Sequence, residues 1–214
     1  MLLSTVAWSQ GADTVKVQKA NKYLPTGIRI GTDVLAIARS QYDKTFTGWE
    51  VNTDVDFNRF YLTVDYGYWA RKFSTTADRY NNDGTYFRIG ADVNFLTKDP
   101  DKNMFFLGLR YGHSTFTEHL TIQRTDSLWN GVINNAYVNN SIHGNWLELT
   151  TGLRVKIWKM LWMGYTARFK FYLRTDENGD LLPHDVPGYG RTDKDSAWWF
   201  NYQILIRIPV RKQN

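Results

Sequence analysis

The chain contains no cysteine, and no run of its residues approaches the roughly 18 consecutive apolar positions of a helical membrane span. The first absence excludes a disulfide framework and a thiolate metal site. The second excludes insertion by helices. A large excess of either charge is also absent. The net charge is +5, from 26 basic and 21 acidic residues scattered along the chain, with no basic run of the kind that binds nucleic acid. No zinc motif and no phosphate-binding glycine loop is present. A length of 214 residues fits one domain.

What the chain has in quantity is alternation. In Phe200-Asn201-Tyr202-Gln203-Ile204-Leu205-Ile206-Arg207-Ile208 every even position is aromatic or isoleucine, and three of the four odd positions are polar. Neighbouring side chains on a strand face opposite ways, so one face is hydrocarbon and the other largely polar. The pattern recurs, placing strands near 27–38, 47–57, 59–71, 85–96, 104–116, 145–158, 160–174 and 197–210. Their connections alternate in length. Asn58, Lys159 and the segment 97–103 are short, whereas 39–46, 72–84, 117–144 and 175–196 are long and rich in turn-forming residues. Short turns on one rim and long loops on the other predict an all-β, eight-stranded, antiparallel up-and-down transmembrane barrel with a filled polar lumen. The mean hydropathy of −0.47 is compatible, because it averages a lipid face with polar loops and lumen.

The apolar face carries no charge, as expected where a charge at mid-membrane costs roughly 2–4 kcal/mol. It includes Ile28, Ile30, Thr32, Val34 and Ala36 of the first strand, and Trp49, Tyr66 and Tyr68 near strand ends, where aromatic girdles belong. The rival arrangement is a soluble two-sheet sandwich with this face inward. The polar face carries Asp33, Glu50, Asp54, Asp65 and Asp92 in the first half of the chain. In the second half it carries Arg110, Arg154, Lys156, Arg168, Lys170, Arg174 and Arg207. Buried charges persist only when paired, so these predict an ion-pair network that locks the lumen rather than an ion path.

The N-terminal residues 1–9 read as the remnant of a signal peptide, 10–26 as a periplasmic segment, 27–210 as the barrel and 211–214 as a periplasmic tail. Both termini are then periplasmic. His113, Thr115 and Glu118 are weak catalytic candidates, because a histidine, a hydroxyl and a carboxylate can form a nucleophile–base–orienter set. Lipid A deacylases of this barrel size resemble the arrangement, with serine rather than threonine two residues from the histidine. The segments 81–84 and 176–180 look like calcium loops, but Asn, Asp and Gly are also ordinary turn formers. No metal site and no cofactor is expected.

The strings Tyr23-Leu24-Pro25-Thr26-Gly27-Ile28-Arg29-Ile30-Gly31-Thr32-Asp33 and Asn201-Tyr202-Gln203-Ile204-Leu205-Ile206-Arg207-Ile208-Pro209-Val210 resemble a family of small eight-stranded outer-membrane barrels of Bacteroidota. The resemblance implies an outer-membrane location and no defined activity. The leading expectation is a non-enzymatic barrel, closed to solutes, serving as an anchor or an accessory subunit of a larger envelope assembly. Its partners would be outer-membrane lipid and a protein of the outer membrane or periplasm. Trp129, Ile133, Tyr137 and Val138 are the candidate loop contacts. The alternatives are a lipid-modifying enzyme at the outer rim and a narrow channel.

Overall fold

The computed structural model describes residues 24–125, 131–175 and 181–210. Eight strands form one closed antiparallel ring. They are β1 (Gly27–Asp33), β2 (Phe46–Phe57), β3 (Phe60–Ser74), β4 (Asp78–Asn94), β5 (Met104–Thr125), β6 (Val132–Trp158), β7 (Leu161–Thr175) and β10 (Ser196–Pro209). Each pairs with its neighbour in sequence, and β1 pairs with β10 to close the ring. A nine-residue helix α1 (Val34–Tyr42) follows β1, and a small hairpin of β8 (Asp185–Val186) and β9 (Gly190–Arg191) precedes β10.

The alternation becomes an inside-out molecule. Along β3, Tyr61, Thr63 and Asp65 are buried while Phe60, Leu62, Val64 and Tyr66 are exposed. Leu109 on β5 is 59% exposed, and Ile206 and Ile208 on β10 are about half exposed. The polar face thus turns to the axis and the hydrocarbon face outward. Small residues make the narrow interior possible. A Cβ on Gly112 would sit 2.1 Å from the Trp146 indole, so only glycine admits that ring. The turns at one rim are tight. Asn58 and Lys159 have positive φ (66° and 37°), each leading a two-residue turn, and Asp99 folds the 97–103 turn by accepting from the backbone of Asp101 and Asn103.

Three features depart from the sequence expectation. The first strand ends at Asp33 instead of continuing to 38, so Val34 and Ala36 lie on α1 and not on a strand's lipid face. The cause is a cap. Asp33 Oδ1 accepts from the Leu35 amide at 3.1 Å and from the Tyr202 amide at 3.1 Å, tying the helix start to β10. Beyond Asp33, β2 and β10 have no strand between them. Ser40 of α1 serves the β2 edge instead. Its hydroxyl accepts from the Gly48 amide at 2.7 Å and donates to the Gly48 carbonyl at 2.8 Å.

Second, most of 72–84 and 117–144 is strand, not loop. β4 starts at Asp78, β5 runs to Thr125 and β6 starts at Val132, so β4, β5 and β6 extend together as far as the Asp78–Ile122 pair and the β5–β6 hairpin projects three residues further. Polar residues on both faces hide the alternation there, and contacts such as the Phe73–Tyr80 stack and the Tyr80–Glu118 hydrogen bond add to the backbone ladder. Third, one bulge resets the faces of β6 and another those of β7. Between Phe116/Ile142 and Glu118/Asn139 the register slips at Ser141, whose φ is 54°. Between Asn145 and Trp146 the partner strand skips Leu173, and Arg174 becomes exposed rather than luminal. The proposed signal, residues 1–9, nearly all of 10–26, the tail 211–214, Trp129 and the 176–180 turn lie outside the described residues.

Candidate functional site

The lumen holds one continuous ionic network. Arg29 lies 2.8 Å from Asp54, and Arg154 joins Asp54 to Asp92, 3.8 Å from the latter. Arg110 bridges Asp92 at 3.1 Å and Asp65 at 2.5 Å. Arg88 and Arg168 both reach Asp65, at 3.3 and 3.2 Å, and both reach Glu148, at 3.5 and 2.8 Å. They also share Glu50, which lies against Arg88 and 3.7 Å from Arg168. Five guanidinium groups therefore face five carboxylates, all buried. Neutral groups fill in. Asn52 donates to Glu50 and Asp65, Trp146 Nε1 donates to Glu148 and the Tyr86 hydroxyl donates to Glu50. Such a charge-balanced, hydrogen-bonded set meets the condition under which buried ions are tolerated.

The network incorporates Glu50, Asp54, Asp65, Asp92, Arg110, Arg154 and Arg168 and leaves out five other residues assigned to it from sequence, one of them Arg174, exposed past the bulge of β7. Lys156 is at the turn rim, paired with Asp101 at 2.7 Å and partly exposed. Arg207 pairs with Asp56 at 2.7 Å near that same rim. Asp33 accepts from Asn201 at 2.5 Å. Lys170 donates to the carbonyls of Gly188 and Tyr189, at 2.5 and 3.1 Å. Arg29, Arg88 and Glu148, which the alternation likewise assigns to the polar face, complete the network.

Lys170 introduces the second part of the site, a plug. The β8–β9 hairpin folds into the barrel mouth, with Asp185, Val186 and Tyr189 almost fully buried. Arg71 contacts Asp185 at 3.0 Å, and the Asn82 side chain donates to the Asp185 carbonyl at 2.5 Å. Glu118 accepts from the backbone of His184 at 3.0 Å and from Tyr80 at 2.6 Å. Gly188 has φ 82°, and a Cβ there would press on the Tyr86 ring at 2.6 Å, so both its backbone and its space require glycine. Burial pushes the Asp185 carboxyl above the usual range, against the pull of Arg71. Nothing in the sequence pattern marks this loop as inward, because its residues contact strands far away in the chain.

The two faces of β5 separate the catalytic candidates. Glu118 is luminal and holds the hairpin, whereas His113 and Thr115 are on the outer wall. On that wall, His113 Nδ1 is 2.8 Å from Asn145 Oδ1, and the His113 and His143 rings stack at 5.5 Å. Thr115 Oγ1 is 3.1 Å from His143 Nδ1. The expected trio does not assemble; a different pairing, Thr115 with His143, does. Among the contact candidates, Ile133 and Val138 are exposed on the projecting hairpin and Tyr137 is half-buried. Among the described residues no group of metal-ligating side chains converges, and no helix is long and apolar enough to cross a membrane.

These features define a closed eight-stranded antiparallel barrel, apolar outside, with a neutralised ionic lumen and an inserted plug. The chain belongs to the family described as "Domain of unknown function (DUF6048)", whose model matches residues 1–213. No curated protein matches the sequence. Among solved structures, it is similar to Ail, the attachment invasion locus protein of Yersinia pestis. That similarity covers 86% of this chain and 98% of Ail, at 11% identity and a TM-score of 0.44. Ail in complex with the heparin analogue sucrose octasulfate matches over the same shares at 13% identity and 0.41. Neisserial surface protein A matches over 86% of this chain and 95% of its own, at 9% identity and 0.37.

Proposed function

We propose that the protein is a closed, non-enzymatic outer-membrane barrel that acts as an anchor or accessory subunit of a larger envelope assembly. The observation that carries this reading is the pairing of an exposed hydrocarbon belt with a lumen occupied along its axis by neutralised charge and buried aromatic side chains. Residues such as Leu62, Ile89, Leu107 and Leu153 are 44–48% exposed around the wall, an arrangement that lipid stabilises and water does not. From the Tyr61–Met104–Phe106 cluster, through the ionic layer, to the aromatic cluster that includes Val186 and Tyr189 of the plug, buried side chains occupy the axis. That filling supports the anchor over the channel. The ends of β1 and β10 share a rim with the short turns, which supports a periplasmic side for both termini.

The contact surface of this reading is the β5–β6 hairpin, where Val132, Ile133 and Val138 expose apolar area on a projecting ladder. The test is photo-crosslinking in intact cells from Ile133 and Val138, with Leu109 in the belt as the control. One discrete protein adduct from the hairpin positions is expected. Lipid adducts alone at all three positions would refute a hairpin partner. Planar-bilayer recording is expected to show no conductance, and steady single-channel steps would reverse the closed assignment.

A second reading, lipid modification at the outer rim, rests on the Thr115–His143 pair, a hydroxyl within reach of an imidazole. Lipid A mass spectra from cells carrying Thr115→Ala or His143→Ala would change under this reading and stay constant under the first.

A further inference from the structure

The wall of the barrel is incomplete where β1 stops. Above Asp33, β10 pairs only with β7 and β2 only with β3, leaving a wedge between them that α1 spans. A cavity of about 440 Å³ lies in this wedge, within the roughly 300–1,000 Å³ usual for ligand sites. Its lining comes from both sides of the wall. Trp49, Tyr68, Trp198 and Phe200 belong to the outward set, whereas Trp69, Trp199 and Tyr86 belong to the luminal mouth. A cavity lined by both sets passes through the wall sideways.

The chemistry of the lining selects the occupant. Most of it is aromatic or aliphatic, and α1 contributes Ala36 and Ala38, whose small side chains leave the space open. The charged groups of its lining are already engaged: Asp33 with Asn201 and two backbone amides, Glu50 with Arg88, Tyr86 and Asn52, and Arg39 with Asp43 and the Phe46 ring. They have little left to offer a polar solute. One buried wall residue, Trp69, keeps its indole N–H without a partner, a donor suited to a carbonyl oxygen. The outward lip carries the aromatics of the upper belt, so hydrocarbon from the surrounding leaflet is what reaches it.

We propose that this lateral cavity binds a single acyl chain, entering between β2 and β10 beneath α1. The inference rests on the membrane reading of the barrel. The ligand chemistry is the linear hydrocarbon chain with its carbonyl, whether carried by a leaflet lipid or by a free fatty acid.

The test uses the full chain in lipid nanodiscs, with two probes bearing a diazirine near the chain end, a phosphatidylethanolamine and a free fatty acid. Cross-linked peptides are mapped by mass spectrometry. Adducts concentrated in 36–48 and 198–200 support the proposal. Labelling by the phospholipid alone assigns a leaflet lipid, and labelling by the acid alone assigns a diffusible one. Ala38→Trp and, separately, Ala36→Trp fill the cavity from the exposed helix. Each should lower those adducts about tenfold, with the heat-dependent gel shift of the folded barrel retained. Adducts spread evenly around the belt, or unchanged in both filled variants, overturn the proposal. Failure of the chain to insert in the nanodisc at all overturns the membrane reading as well, and insertion is scored on the same sample.

Discussion

Ser40 and Gly48 satisfy each other twice: one hydroxyl takes the Gly48 N–H and gives its own proton to the Gly48 carbonyl. A serine thus replaces the strand that β2 loses when β1 ends. Without it, two backbone groups at a strand edge lose their partners, at about 1–3 kcal/mol each if they stay buried. Ser40→Ala is therefore expected to release α1 while the ring stays closed. Hydrogen exchange should speed up at Gly48 and across 34–42, with the amides of β5 and β6 unchanged. Unaltered exchange at Gly48 would show that the helix is held by packing alone.

Leu109 distinguishes a membrane barrel from a soluble one. It is 59% exposed, so in water Leu109→Arg would shift stability by less than about 0.5 kcal/mol. Facing hydrocarbon as the sixth residue of β5, about midway along the 9–11 residues that a strand needs to cross a bilayer, the same change should cost roughly 2–4 kcal/mol. Folding titrations of both chains in lipid vesicles measure the difference.

Arg110 joins two carboxylates, Asp65 and Asp92, at the centre of the lumen. Its removal in Arg110→Ala leaves both short of a buried counter-charge, and about 3–5 kcal/mol of stability should go. Adding Asp92→Asn to that variant should recover part of the loss, because one fewer charge is stranded. A double variant weaker than the single would contradict the network as drawn.

Asp185 gives the plug a pH dependence with a definite sign. Burial raises its carboxyl above the unfolded value despite Arg71. A raised acid favours the native state while protonated in it, so plug stability declines as pH rises from the ordinary carboxylate range through the folded value, then levels off. Asp185→Asn should remove that decline and hold the hairpin at least as firmly at pH 7. Exchange rates at Val186 and Tyr189 between pH 4 and 7 provide the readout (roughly the range where carboxyls with raised pKa titrate). A wild-type hairpin that loosens on acidification would reverse the sign and point to the Arg71 pair as the dominant contribution.

The period-two pattern alone defined the strands' faces, because a strand offers only two directions and only one of them avoids placing charge in hydrocarbon. Tyr61, Thr63 and Asp65 against Leu62, Val64 and Tyr66 could be sorted before any coordinates existed. So could most of the ionic lumen, since the residues that avoid the outer face have nowhere else to go. What the chain itself could not disclose are the contacts set by distant partners. Asp33 ends β1 because it meets the Tyr202 amide, 169 positions away. Ser141 reverses the faces of β6 through one inserted residue, and Glu118 holds a hairpin drawn from 66 positions further on. Local periodicity is blind to all three, because two are hydrogen bonds to residues far along the chain and the third is a one-residue change of register against the neighbouring strand.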